Sequence, residues 1–266
     1  MNAALHGVSL HFSGRECALD NIHLSIAEGE HVAIIGSSGA GKSSLLHLLA
    51  TGFQPSAGEV QLLDTSPWQL SARDRRKLRC KIGLIQQTPP LPPRQRVITA
   101  VLAGKLGQWS LVKSLLNLAY PVDINGAAAI LSRLDLADKL FSRCDALSGG
   151  QLQRAGIARV LYQASELVLA DEPVSAMDPV LAAHTLGVLC DDARQRNATL
   201  IASLHTVELA LAHFPRIIGL RKGCIVFDRA SNAVTAADLE MLYANTQLPV
   251  APSAKTPAIP LAIPGY

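Results

Sequence analysis

Apolar positions along this chain follow two rhythms that replace one another from segment to segment. In Val8-Ser-Leu10 and Ile22-His-Leu24-Ser-Ile26 every second residue is apolar, the period of strands that bury one face. Gly14 and Glu28-Gly29-Glu30 interrupt the pattern. Residues 5–35 therefore predict antiparallel strands leading into the run His31 to Ile35, which reads as a strand buried on both faces. Leu45-Leu46-His47-Leu48-Leu49 fits a helix that begins at Lys42 and ends near Gly52. The basic segment Ala72 to Lys81 is compatible with helix, and Ile82-Gly-Leu-Ile85 reads as another short buried strand. Thr88-Pro-Pro-Leu-Pro-Pro-Arg94 can be neither helix nor central strand, because proline lacks the N–H that either ladder needs.

From Val97 to Phe141 the apolar residues recur at helical spacing, which predicts a mostly helical subdomain, about residues 88–147, inserted into an α/β core. A helix from about Gln151 to Gln163, a strand Leu167-Val-Leu-Ala170, a helix Leu181 to Gln195 and a strand Thr199-Leu-Ile-Ala-Ser203 then alternate. This order predicts a mostly parallel sheet covered by helices. Arg216-Ile-Ile-Gly-Leu220 and Cys224-Ile-Val-Phe227, joined through Arg221-Lys-Gly223, read as a hairpin. Residues 1–248 form one unit on this reading. Residues 249–266, with prolines at 249, 252, 257, 260 and 264, form an extended tail that is either solvated or laid against a neighbouring subunit.

The 266 residues, with 49% hydrophobic, can bury the core of one large α/β unit. Their 24 basic and 21 acidic side chains nearly cancel, which argues against nucleic-acid binding by bulk charge. Cys17, Cys80, Cys144, Cys190 and Cys224 are scattered, without a C-x-x-C pair, and read as small apolar residues or idle thiols. Met1-Asn-Ala-Ala-Leu-His-Gly lacks the regions of a signal peptide, and charges or prolines interrupt each long apolar stretch before it could span a bilayer. Any membrane role is expected to be peripheral.

The chemistry concentrates in three places. Gly36-Ser-Ser-Gly-Ala-Gly-Lys42-Ser43, between a strand and a helix, lets backbone N–H groups converge on an anion at a positive helix end. Lys42 supplies charge for the outer phosphates of a nucleotide and Ser43 a hydroxyl for Mg²⁺. Leu167-Val-Leu-Ala-Asp171-Glu172-Pro173 puts two carboxylates where a buried strand ends, the edge at which parallel sheets gather ligands. Asp171 suits Mg²⁺, a hard cation, and Glu172 can orient and deprotonate a water attacking a γ-phosphate. An acidic surface turn is the plainer alternative. Leu147-Ser148-Gly149-Gly150-Gln151 offers a second set of free N–H groups at a helix start. Local physics leaves open whether the two glycine-rich elements serve one nucleotide or two.

Leu147 to Gln151 resembles the signature of ABC-type ATPases. Phosphate loop, glutamine after a strand, signature, acidic strand and later histidine follow in that family's order over about residues 5–230. The resemblance implies a P-loop NTPase core with a mostly parallel sheet, an N-terminal antiparallel β-subdomain and an inserted helical subdomain. It also implies two copies packed head to tail around two ATP molecules. Gly36, Ser37, Ser38, Gly39, Ala40, Gly41, Lys42, Ser43 and Ser44 would then hold the chain's own nucleotide. Ser148, Gly149, Gly150 and Gln151 would act on the partner's. Ser175-Ala-Met-Asp178 matches the loop touching the opposite subunit, where Asp178 links the sites, although a helix cap before Pro179 explains it equally well. His205 matches a histidine that contacts the γ-phosphate. Gln87, with Gln86 as the adjacent alternative, matches the glutamine reaching Mg²⁺ and the attacking water. Phe12 matches the aromatic that stacks on adenine, or is a core residue.

Val101-Leu-Ala-Gly-Lys-Leu-Gly107 with Trp109, Ala170-Asp-Glu-Pro-Val174, Ser203-Leu-His205 and Arg216-Ile-Ile-Gly-Leu-Arg221 are similar to phrases of the phosphonate importer ATPases, whose relatives also serve phosphite. That likeness implies membrane permease subunits as partners, indirectly a periplasmic solute-binding protein, and a peripheral place on the cytoplasmic face of the inner membrane. A subunit of a carbon–phosphorus lyase complex and an exporter or lipid-extraction ATPase are the alternatives. The proline run at 88–94 departs from the stretch usual beside the glutamine, where membrane subunits are engaged.

Overall fold

The computed structural model describes residues 1–12 and 17–244, except the side chains of 118 and 119; the 249–266 tail lies outside the described residues. β1 (Ala3–His11) pairs antiparallel with β2 (Cys17–Ile26). The chain then passes through a strand buried at every position, β3 (His31–Ile35), and the helix α1 (Lys42–Leu49). It returns as β4 (Ala57–Leu62), antiparallel to the other side of β1, so one three-stranded sheet has the order β2-β1-β4.

The second sheet builds outward from β3. After α2 (Ala72–Cys80), whose Ser71 cap accepts a hydrogen bond from Asp74 N–H, comes β5 (Ile82–Ile85). β6 (Leu167–Asp171), β7 (Thr199–Leu204), β8 (Arg216–Arg221) and β9 (Cys224–Ala230) complete the order β5-β6-β7-β3-β8-β9. Every pairing in it is parallel except the β8–β9 hairpin.

The period of two sorts the strand side chains into two cores. Val32, Ile34, Leu167, Leu169 and Ile201 face α1 and the antiparallel sheet. Ala33, Ile35, Val168, Ala170, Leu200 and Ala202 face the other way. There they meet α6 (Gly149–Gln163) and α7 (Pro179–Gln195), and the inserted helices α3 (Val97–Leu102) and α5 (Ile124–Arg133) extend the same core. Between these inserted helices lies α4 (Leu111–Ala119). Asp123 caps α5 by accepting from Gly126 N–H at 2.9 Å and from the Tyr162 hydroxyl at 2.8 Å, which fastens the insertion to α6 and holds this carboxyl below its ordinary range.

The expected strands, the insertion and the closing hairpin are present near the expected positions. β4, α8 (Val207–His213) and α9 (Ala236–Tyr243) go beyond the sequence expectation. In β4 only Val60 and Leu62 are buried, too few to set a period against its exposed neighbours. Among the described residues, no helix is long and apolar enough to cross a membrane. The register aligns Ile35 with Leu204 and Asp171 with Ser203, so the carboxyl ends of β3, β6 and β7 meet at one edge.

Candidate active site

At that edge the chain leaves β3 through Gly36 and turns into α1. A Cβ on Gly36 would overlap the Leu220 carbonyl oxygen, and one on Gly41, at φ +103°, would overlap that of Ala18. Both positions therefore require glycine. Gly41 caps α1 without a side-chain hydrogen bond, leaving the first N–H groups of the helix free of a side-chain acceptor. Lys42 is buried; its Nζ donates to the carbonyls of Gly36 at 2.9 Å and Ser37 at 3.0 Å. Burial pushes its pKa down, and the carboxylates of Glu172 and Asp171 push it partly back. An ammonium so placed gains from an added anion, because each negative oxygen offsets the desolvation.

Phe12, residues 38–44, Gln87, Glu172 and His205 line one cleft of about 600 Å³, with Ala18 and Cys17 beside Phe12. The sequence-predicted elements from β2, β3, β5, β6 and β7 are thus brought together. Gly36 and Ser37 act through their carbonyls on Lys42. Phe12 is 40% exposed and packs edge-to-face with Phe53, ring centroids 5.2 Å apart, so it belongs to the rim and not to the core. Gln87 faces the cleft. Gln86 lines a separate groove of about 430 Å³ between the sheet and the insertion, together with Pro89, Pro90 and Leu91.

The Glu172 carboxylate is held from both sides. Gln87 Nε2 donates to Oε2 at 2.7 Å, and His205 Nε2 lies 2.5 Å from Oε1. The Glu172 backbone adopts φ +47°, the left-handed region that a residue with a side chain enters at a cost, and such strain persists where neighbours fix it. One fixing group is Ser203 Oγ, which accepts from Glu172 N–H at 3.0 Å while donating to Asp171 Oδ1 at 2.7 Å. The sequence marks Ser203 as a strand terminus and as part of the importer-like phrase Ser203-Leu-His205, and gives it no role at the site. Its signal is the parallel register, which sets it beside Asp171 across 32 positions of chain.

Asp171 is buried, and its carboxylate, the Ser43 hydroxyl and the Gln87 carboxamide are hard oxygen donors at the same sheet edge. Among the described residues no group of three His, Cys, Asp or Glu could hold a metal by itself. The donor set fits Mg²⁺ of the kind completed by phosphate oxygens and water.

The second glycine-rich element is elsewhere. Ser148 caps α6 in a reciprocal box, accepting from Gln151 N–H while its own N–H donates to Gln151 Oε1 at 3.0 Å. None of Ser148, Gly149, Gly150 or Gln151 lines the cleft. A Cβ on Gly149 would meet nothing within 4 Å, so its surface is open to an approaching group. Asp178 caps α7, accepting from Leu181 N–H at 3.0 Å, ahead of Pro179 in the first turn.

A family model described as ABC transporter matches residues 19–175. The chain is 62% identical, over 97% of its length and 98% of the relative's, to the phosphonates import ATP-binding protein PhnC of Pseudomonas fluorescens (strain Pf0-1). To the PhnC protein of Pseudomonas putida (strain KT2440) it is 60% identical over 99% of its length and 98% of the relative's. Its backbone matches the ATP-binding cassette MJ0796, a dimer in a post-hydrolysis state bound to ADP and Pi, with a TM-score of 0.75 and 28% identity. That match covers 86% of this chain and 98% of the other. The fold is also that of cbiO1 from Clostridium perfringens, with a TM-score of 0.74 and 22% identity over 93% of this chain and 95% of the other.

Proposed function

The chain belongs to the ABC transporter family, and from that premise we propose that it is the ATP-hydrolysing, energy-coupling subunit of an importer for phosphonate or a related phosphorus oxyanion. The observation that carries the catalytic part is the Glu172 carboxylate held between Gln87 and His205 over the same cleft as Lys42. The loop N–H groups and Lys42 hold the β- and γ-phosphates, and Phe12 stacks on the base. Ser43, Asp171 and Gln87 would hold Mg²⁺, which would supply neutralising charge beside the phosphates. Glu172 accepts a proton from the attacking water, and His205 keeps that carboxylate in place while presenting its ring to the γ-phosphate.

Residues 1–248 form one ATPase domain with the helical subdomain, about 88–147, inserted in it. The signature's open surface outside the chain's own cleft supports a head-to-tail pair, in which Ser148, Gly149, Gly150 and Gln151 close on the second copy's nucleotide and Asp178 links the two sites. The groove beside Gln86 and the proline run supports docking of a permease at the cytoplasmic face of the membrane, with a periplasmic binding protein delivering the solute. The names of the relatives support phosphonate as that solute.

The test is growth of cells lacking this chain on phosphonate, phosphite or phosphate as sole phosphorus source. Growth is expected to fail on phosphonate and to persist on phosphate. Normal growth on phosphonate, with no second importer present, overturns the assignment. A further expectation concerns Ser203→Ala, which leaves the half-buried Glu172 N–H without its acceptor. We expect a stability loss of about 1–3 kcal/mol in urea unfolding and a kcat for ATP lower by roughly tenfold or more, as Glu172 drifts from its position.

A further inference from the structure

Glu172 needs a second anchor, since a backbone at φ +47° is held by Ser203 only through its N–H. Its carbonyl accepts from Gln153 Nε2 at 2.9 Å. Gln153 lies on α6, two positions beyond the signature, and is 1% exposed. The same Nε2 is 3.4 Å from the Gln87 carbonyl and 3.3 Å from Ser175 Oγ, while Oε1 accepts from Ala176 N–H at 3.1 Å. One buried carboxamide thus touches the segments that carry both Gln87 and Glu172, and also the loop that follows them. That loop also lies close to the signature: a Cβ on Gly150 would lie 2.9 Å from the Ala176 carbonyl oxygen. The next residue, Arg154, faces away and donates to the Leu134 and Asp135 carbonyls of the insertion.

We propose that Gln153 is a positioning residue for the hydrolytic step: from the start of α6 its carboxamide ties the backbones of Glu172 and Gln87 to the loop at 175–176 and so fixes where the base stands. The inference rests on the ATPase reading above and deepens it. A side chain that filled space alone would not use both ends of its carboxamide on four backbone and side-chain partners. A methionine at 153 fills nearly the same volume and makes none of these bonds. A glutamate keeps the acceptor for Ala176 N–H and loses the donor to Glu172.

The experiment compares Gln153→Met and Gln153→Glu with Leu161→Ala, a control that removes buried packing from the same helix away from the site. Steady-state ATP hydrolysis and thermal unfolding are measured on the full chain. Both Gln153 variants are expected to lose roughly tenfold or more in kcat with KM for ATP changed by less than about threefold, the split produced when a bound substrate meets a displaced catalytic group. Leu161→Ala is expected to unfold at a lower temperature and to keep its kcat within about twofold. The proposal is overturned if Gln153→Met keeps the parental kcat, if its defect lies in KM, or if the three variants lose kcat in proportion to their lost thermal stability. An unmutated chain without ATPase activity would instead count against the ATPase reading itself, so the two failures are distinguishable.

Discussion

A Glu172→Gln chain is expected to bind ATP with near-parental affinity and to hydrolyse it about 10²–10⁴-fold more slowly, the span contributed by a positioned general base. The substitution preserves shape. The new carboxamide oxygen still accepts from Gln87 Nε2, and its NH₂ reaches the His205 ring nitrogen that now faces Oε1. The backbone at φ +47° stays anchored, because Ser203 and Gln153 bind main-chain atoms. What disappears is basicity: an amide cannot take the proton of the attacking water. Lys42, Ser43 and the loop amides are untouched, so nucleotide affinity is retained. With binding intact and cleavage stopped, the ATP-bound state accumulates, and size-exclusion chromatography should show a species of twice the mass with ATP that reverts without it. A single-turnover rate within about threefold of the parental one would remove Glu172 from the role of base.

How much of this was legible in the chain follows from where each signal resides. β3 and β6 are buried on both faces, so their unbroken apolar runs announce them, and the residues after them, Gly36 and Glu172, fall at the ligand edge by the geometry of parallel strands. The insertion was legible because the proline run and the helical spacing after it are local features. Ser203 and Gln153 were not. Each acts on Glu172 through a contact made only when distant segments pair, and neither residue type is unusual at its own position. Phe12 was undecided because its rim position depends on Phe53, which the fold brings from beyond α1. Asp178 keeps two readings for a physical reason: one oxygen caps α7 at 3.0 Å, and capping leaves a carboxylate further acceptor capacity.

Two individually inactive variants, Lys42→Ala and Ser148→Asp, should regain activity when mixed. Lys42→Ala removes the buried ammonium that the loop carbonyls hold, and with it the charge for the outer phosphates. Ser148→Asp is chosen because aspartate caps a helix as well as serine, so α6 keeps its start, while a carboxylate now repels any phosphate brought to that surface. If each cleft is completed by the other copy's signature, a mixed dimer holds one doubly damaged site and one with both Lys42 and Ser148 intact. Random exchange makes about half of the dimers mixed, each with one working site of two, so roughly a quarter of the parental rate should return. If a chain used its own signature, both sites of a mixed dimer would carry a lesion and no activity would return. The signature's absence from the lining of its own cleft favours the first outcome. The recovery should also vanish on dilution below the dimer's dissociation constant, which separates a shared site from reversion or a contaminating ATPase.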